Sequence, residues 1–258
     1  MASMTSRVVV ALLAGLLLLP LAVSAQDAEA DALPEAGTVL ESGRYVSDLV
    51  GPEIEFRASE DWIVGPSGDG PIFTLEYTGA PGSVLSFTRF DGETFLDSCD
   101  PTSMTIVEPG VARLAEIVAG NPYLNAGAPS LVEVDGFSGL SLDIGVPAYA
   151  ECALPYVLIW AIPVGDGGEF VQMANQQSRF LILDVDGDVI VIAIEAFPGV
   201  PFGGFLEAAS ELVETLRITP GPYIPPEPAA SEEPGADVSP QPTERPSPSP
   251  TSGADTAA

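Results

Sequence analysis

The chain of 258 residues contains no histidine and no lysine, and its eight basic residues are all arginine, at positions 7, 44, 57, 89, 113, 179, 217 and 245. Without imidazole or a side-chain amine, Ser-His-Asp and Cys-His catalysis, Schiff-base lysines and zinc sites that use histidine are all excluded. Chemistry in this chain is restricted to carboxylates, hydroxyls, arginine and bound metal. Positive charge is also scarce: 37 acidic residues face those eight arginines, for a formal charge of −29. A surface of that sign repels nucleic acid and anionic headgroups and attracts cations and basic partners, which excludes nucleic-acid binding.

Cysteine is nearly absent too, with only Cys99 and Cys152. A catalytic thiolate would lack a histidine partner, so the two residues are expected to pair as a disulfide, or failing that to be free structural thiols. The first is favoured if the chain reaches an oxidising compartment, where unpaired exposed thiols oxidise. Its first 25 residues point there. Arg7 precedes an uncharged run at 8–23 that ends in the small residues Val23-Ser24-Ala25, the layout of a secretory signal peptide. Residue 26 is Gln rather than Cys, so no lipid-attachment cysteine follows, and the run is slightly short for a spanning helix. The expectation is cleavage and release: a secreted or extracytoplasmic protein that meets a membrane only transiently through its signal peptide.

Residues 26–36 are acidic, alanine-rich and without apolar periodicity, and read as a disordered leader. From 220 onward eleven of the chain's 26 prolines fall within 31 residues, and a Pro-rich tail at 220–258 with so little apolar content cannot bury a core. The segment 37–219 between them is expected to form one domain. It alternates short β-rich runs with Gly, Pro and Asp-Gly turns, and predicts strands at 44–48, 53–57, 72–77, 84–90, 131–134, 138–144, 156–162, 170–174, 179–185 and 189–195. Asp135-Gly136 and Asp186-Gly187 each separate two runs by the two residues that a type I′ hairpin turn prefers. Apolar residues at helical spacing predict a helix after Pro109, with Val111, Leu114, Ala115 and Val118 on one face, and a second over 205–216, with Phe205, Ala209, Leu212, Val213 and Leu216. Together these read as an α+β fold, a mostly antiparallel sheet with two helices packed on one side and a Cys99–Cys152 bridge.

Several segments carry a resemblance. Gly43-Arg44-Tyr45, Pro52-Glu53-Ile54-Glu55-Phe56 and Trp62 are similar to the opening of an uncharacterised group of exported proteins from GC-rich bacteria. Leu114-Ala115-Glu116, Asn121-Pro122-Tyr123-Leu124 and 134–139 resemble its helix and central hairpin, and 183–192 with 212–218 its C-terminal hairpin and helix. The resemblance covers most of 37–219 and implies export and fold, with no defined activity. A sheet followed by a closing helix and a short strand also resembles, more remotely, the PsbP-like fold, whose members are mainly binding or assembly factors.

Three constellations could carry chemistry. Asp184, Asp186, Asp188 and Glu195 occupy positions 1, 3, 5 and 12 of an EF-hand loop. Position 6, however, is Val189 where that loop needs Gly, and a β-branched run follows, so a hairpin turn with acidic shoulders and no metal is expected. A carboxylate pair could hydrolyse glycosides. Asp97 and Asp100 beside Cys99, and Glu76 among aromatics, are candidates, though in so acidic a chain each reads first as a solvated surface acid. Trp62, Tyr77, Tyr156 and Trp160 could line a ligand groove; Trp160 alternates with buried neighbours and reads as core, Trp62 as partly exposed at a strand edge. Asn175-Gln176-Gln177 reads as an ordinary polar loop. The sequence thus predicts no catalytic, cofactor or metal residue. It predicts a non-enzymatic exported module with an extracellular ligand or protein partner, the alternative being a carboxylate-based hydrolase of extracellular polymers.

Overall fold

The run at 189–195 is apolar at six of its seven positions and β-branched at five, a pattern that requires burial on both faces rather than one. The computed structural model, which describes residues 29–67, 70–148, 152, 154–162 and 168–224, meets that requirement with three sheets and two helices. In chain order the elements are β1 (Asp31–Ala32), β2 (Gly43–Ser47), β3 (Glu53–Ala58), β4 (Trp62–Val64), β5 (Ile72–Tyr77), β6 (Ser83–Phe90), β7 (Glu93–Phe95), β8 (Met104–Ile106), α1 (Val111–Ala119), β9 (Asn125–Ala126), β10 (Ser130–Val134), β11 (Phe137–Gly145), β12 (Tyr156–Ile162), β13 (Gly168–Met173), β14 (Gln177–Val185), β15 (Asp188–Ala196), α2 (Phe202–Val213) and β16 (Arg217–Thr219). Contacts divide the chain into Met1–Tyr223 and Ile224–Ala258. The expected signal peptide and nearly all of the expected tail lie outside the described residues. Among the described residues no helix is long and apolar enough to cross a membrane.

The central sheet has the order β10-β11-β14-β15-β6-β5-β4, with β9 also on β11. Its pairs are antiparallel throughout. Alternate side chains of β14 and β15 point to opposite faces, and both sets are apolar. On one face Leu181, Leu183, Ile190, Ile192 and Ile194 pack with Phe205, Ala209 and Leu212 of α2 and with Ile54 and Phe56 of β3, which belongs to a sheet ordered β1-β2-β3-β16. On the other, Phe180, Ile182, Val189, Val191 and Ala193 pack with Leu114, Ala115 and Val118 of α1 and with Val157, Trp160 and Ile162 of β12, in a sheet ordered β13-β12-β7-β8. The two helices therefore pack on the sheet as expected, but on opposite faces: two apolar faces need two covers. Each fully buried Leu, Ile or Phe in these layers contributes about 1.5–3 kcal/mol.

Both Asp-Gly turns are two-residue hairpins. Asp135 and Gly136 have φ of 48° and 85°, Asp186 and Gly187 of 53° and 97°, the positive values a type I′ turn requires. Gly187 and Gly145 both leave open space where a Cβ would stand, and of the two only Gly187 has positive φ. Gly187→Ala is therefore expected to cost about 1–2 kcal/mol in chemical denaturation, from conformation alone, and Gly145→Ala clearly less.

Several boundaries differ from the sequence reading, among them the end of α2, at Val213 rather than 216. Asp31–Ala32, inside the expected disordered leader, pairs in parallel with Tyr45 and Val46, and the next residue, Leu33, donates its N–H to the Val46 carbonyl at 2.9 Å and packs on the core. One apolar side chain is enough to dock the segment. At the other end Tyr223 stays on the domain, its ring 5.8 Å from the Arg89 guanidinium and its backbone nitrogen 3.1 Å from where a Cβ on Gly51 would fall. Helix α2 begins at Phe202 rather than 205 because Pro201 precedes it in extended conformation, a permitted helix entry that the poor helix formers Gly203-Gly204 hide from a propensity reading.

Candidate functional site

The four acids at EF-hand spacing do not converge. Asp184 caps its own turn, accepting the Gly187 N–H at 2.8 Å, and Asp188 lies 3.2 Å from an Arg89 nitrogen. Glu195 is seven residues further along β15, about 23 Å at the rise of a strand. Among the described residues no group of three or more His, Cys, Asp or Glu side chains could hold a metal ion.

Glu195 instead occupies the interior. It is 5% exposed and faces the β12–β13 layer from the central sheet. The Ser86 hydroxyl donates to its Oε2 at 2.9 Å, and the Gln172 and Gln176 amides donate to its Oε1 at 2.6 and 2.9 Å. Ser178, opposite Glu195 in the sheet, donates to the side-chain oxygen Oε1 of Gln172 at 2.6 Å. Every named partner is neutral, so burial dominates and pushes the Glu195 carboxyl up to about 7, against the opposing pull of the Ser86, Gln172 and Gln176 hydrogen bonds. Gln176 is thus no ordinary loop residue. The available signal was one acid inside a strand otherwise apolar on both faces, which needs either a partner set or a proton.

The remaining acids are surface fittings. Asp97 accepts the Cys99 N–H at 2.9 Å and Asp100 accepts both the hydroxyl and the N–H of Thr102. The Thr102 hydroxyl, with its N–H second, holds Asp100 below the usual carboxylate range. Glu76 is exposed on β5. Between Asp97 and Asp100 the chain is tied by the expected disulfide, Cys99–Cys152, with Cα atoms 5.0 Å apart. Among the aromatics Trp160 is core as expected, stacked on Phe170 at 4.1 Å with Phe90 and Phe180 edge-on. Trp62 is not partly exposed: it is 4% exposed, 5.2 Å from Tyr77 and 6.2 Å from Phe205, because α2 closes over the strand edge that the sequence leaves open.

A concavity lies elsewhere, on the α2 face of the central sheet. Helix α2 makes its main contacts with β15, β6 and β3 and leaves a gap towards β10, at the Ser141, Asp143 and Arg179 end of the sheet. The result is a groove of about 420 Å³ with Leu181 and Ile194 in its floor, Ser210, Val213 and Glu214 along one wall and β10 along the other. One end is fixed by the hairpin turn: the Asp135 carboxylate accepts the Ile218 N–H at 2.7 Å and an Arg217 nitrogen at 3.4 Å, tying the β10–β11 turn to the chain that leaves α2. The opposite end carries a two-pronged pair, Arg179 Nε to Asp143 Oδ1 at 2.6 Å and Nη2 to Oδ2 at 3.0 Å. Those hydrogen bonds raise the Arg179 pKa further. The sequence offered no sign of this groove, because its lining comes from five separate stretches that only the fold brings together.

No family model matches the chain and no curated protein is similar to it. Among solved structures it is similar to the cyanobacterial PsbP protein (CyanoP) of Synechocystis sp. PCC 6803, at 14% identity over 72% of this chain and 98% of that one, with a TM-score of 0.37. It is also similar to LpqN of Mycobacterium tuberculosis, a protein involved in cell envelope biogenesis, at 14% identity over 74% of this chain and 89% of that one, with a TM-score of 0.36. The first is the PsbP-like shape named above. The group of exported proteins from GC-rich bacteria is not shown by either. At these scores the two likenesses carry no argument about ligand or activity.

Proposed function

We propose that this chain is an extracytoplasmic, non-enzymatic binding module that takes its ligand in the groove between α2 and the β10–β11 hairpin. The carrying observation is the groove itself: Leu181 and Ile194 in the floor with a fixed polar pair, Arg179 and Asp143, at one end, the arrangement of a binding site. A hydrolase of the carboxylate type needs one acid of raised pKa facing its substrate. Here the carboxyl of raised pKa, Glu195, is enclosed between two sheets, and Asp143 in the groove is engaged by Arg179. The disulfide supports an oxidising compartment, and the tail serves as spacer.

The test is a thermal-shift screen of the full chain against extended peptides, oligosaccharides and acyl lipids, run beside two variants that obstruct the groove, Ser141→Trp in the floor and Glu214→Trp at the exposed rim. A ligand at a hundredfold excess over its Kd stabilises by about 2.7 kcal/mol, a rise of several degrees in Tm. The expected result is such a rise from one ligand class, lost in both variants. An equal rise in the variants, or no rise from any class, contradicts the proposal.

A further inference from the structure

The groove does not follow one face of β10. All five residues Ser130–Val134 line it, and because successive strand residues point to opposite faces, a concavity that touches every one of them runs along the backbone edge. That edge is free. β10 ends the central sheet and its strand partner is β11 alone, so the outward N–H and C=O groups of Ser130–Val134 have no strand partner among the described residues. Leu131, on this strand, is 90% exposed. A free strand edge beside a helix with an apolar floor between them is the geometry in which an extended peptide is added as a further strand, its backbone supplying affinity and its side chains specificity.

Charge selects the occupant. Arg179 is neutralised by Asp143 within the groove, which leaves Glu133 on β10 and Glu214 at the end of α2 as the exposed anionic residues of its rims. A second copy of this chain, with a formal charge of −29 and no lysine, would set like charges against those rims. We infer that the groove binds an extended segment of another polypeptide carrying lysine or arginine, added antiparallel to the free edge of β10. This rests on the reading of the groove as the binding site and narrows its ligand to a class.

The probes are three eight-residue fluorescent peptides measured by anisotropy against the full chain: alternating Lys-Val, alternating Glu-Val, and Lys-Val N-methylated on every second backbone nitrogen, prepared in both phases. A strand added to one edge uses alternate N–H groups and turns the others to solvent. The expected result is binding of the Lys-Val peptide but not the Glu-Val peptide, with methylation in one phase weakening it at least tenfold and the other phase tolerated. Glu133→Lys combined with Glu214→Lys, both at exposed positions, is expected to reverse the charge preference. Attraction to a general anionic surface would be equally sensitive to both phases, or to neither, and that result overturns the inference, as does the absence of Lys-Val binding. If the Ser141→Trp variant abolishes stabilisation by a sugar or lipid while no peptide binds, the inference fails and the groove reading stands. If the peptide binds with phase dependence unaffected by Ser141→Trp, the groove reading fails instead.

Discussion

Between pH 4.5 and about 7 the folded chain is expected to lose about 3 kcal/mol of stability through Glu195 alone. The sign follows from which state holds the proton. Unfolded, the carboxyl ionises near its ordinary value of 4.5; folded, burial defers ionisation to about 7. In that interval the native state binds a proton the unfolded state has released, so each unit of rising pH favours unfolding by about 1.4 kcal/mol. The contribution is fully present below pH 4.5 and gone above about 7. Glu195→Gln isolates it. The amide carbonyl can still accept from Gln172 and Gln176, and the amide nitrogen, in place of Oε2, can donate to the Ser86 oxygen once that hydroxyl turns from donor to acceptor. Titration of the other acids cancels when the two proteins are compared. Urea unfolding at pH 4 and pH 8 is expected to show the variant gaining about 3 kcal/mol on the native protein between those values. A constant difference would mean that Glu195 ionises as an ordinary acid and that its polar surroundings are wetter than the packing indicates.

Removal of the disulfide is expected to cost more. Cys99 and Cys152 are 53 residues apart, and closing a loop of that length restricts the unfolded chain by about 4 kcal/mol. The loss should also be local at first. The β13-β12-β7-β8 sheet joins its two halves through a single register pair, Trp160 with Thr94, supported by the Thr94 hydroxyl on the Ile159 carbonyl at 3.0 Å. The bridge lies just beyond this junction, after β7 and before β12. In the paired variant Cys99→Ser, Cys152→Ser, midpoint denaturant concentration should fall by the equivalent of about 4 kcal/mol. Trp160 should become exposed before Trp62, which belongs to the core on the opposite face of the central sheet. Fluorescence of Trp62→Phe and Trp160→Phe backgrounds separates the two signals, and simultaneous exposure of both would show that the third sheet does not depend on the bridge.

What the sequence revealed depended on whether the determining residues were neighbours in the chain. Asp135-Gly136 and Asp186-Gly187 were legible because a two-residue turn has local chemistry. The long strands were legible from their own periodicity, and the disulfide from a count of two. Strands β4, β7 and β9, each two or three residues long, have no period of their own and exist because a longer partner is beside them. Glu195 was assigned to the acids nearest in sequence, whereas its true partners are 19, 23 and 109 residues away. The groove is the extreme case. Gly127 and Leu131, Arg179 and Ile194, Ser210 and Glu214 share no motif; they meet because α2 covers one part of a sheet face and leaves a gap beside it.

That gap between α2 and β10 is the centre of the account, and hydrogen exchange of the full chain, resolved by residue and compared with and without a saturating ligand from the thermal-shift screen, tests it most directly. The account predicts slowed exchange in the free-edge amides of Ser130–Val134 and around Ser210, Val213 and Glu214, with β4 and β8, at the far edges of their sheets, unchanged. Protection centred on those edges, with Ser130–Val134 exchanging as fast as in the free protein, would contradict it.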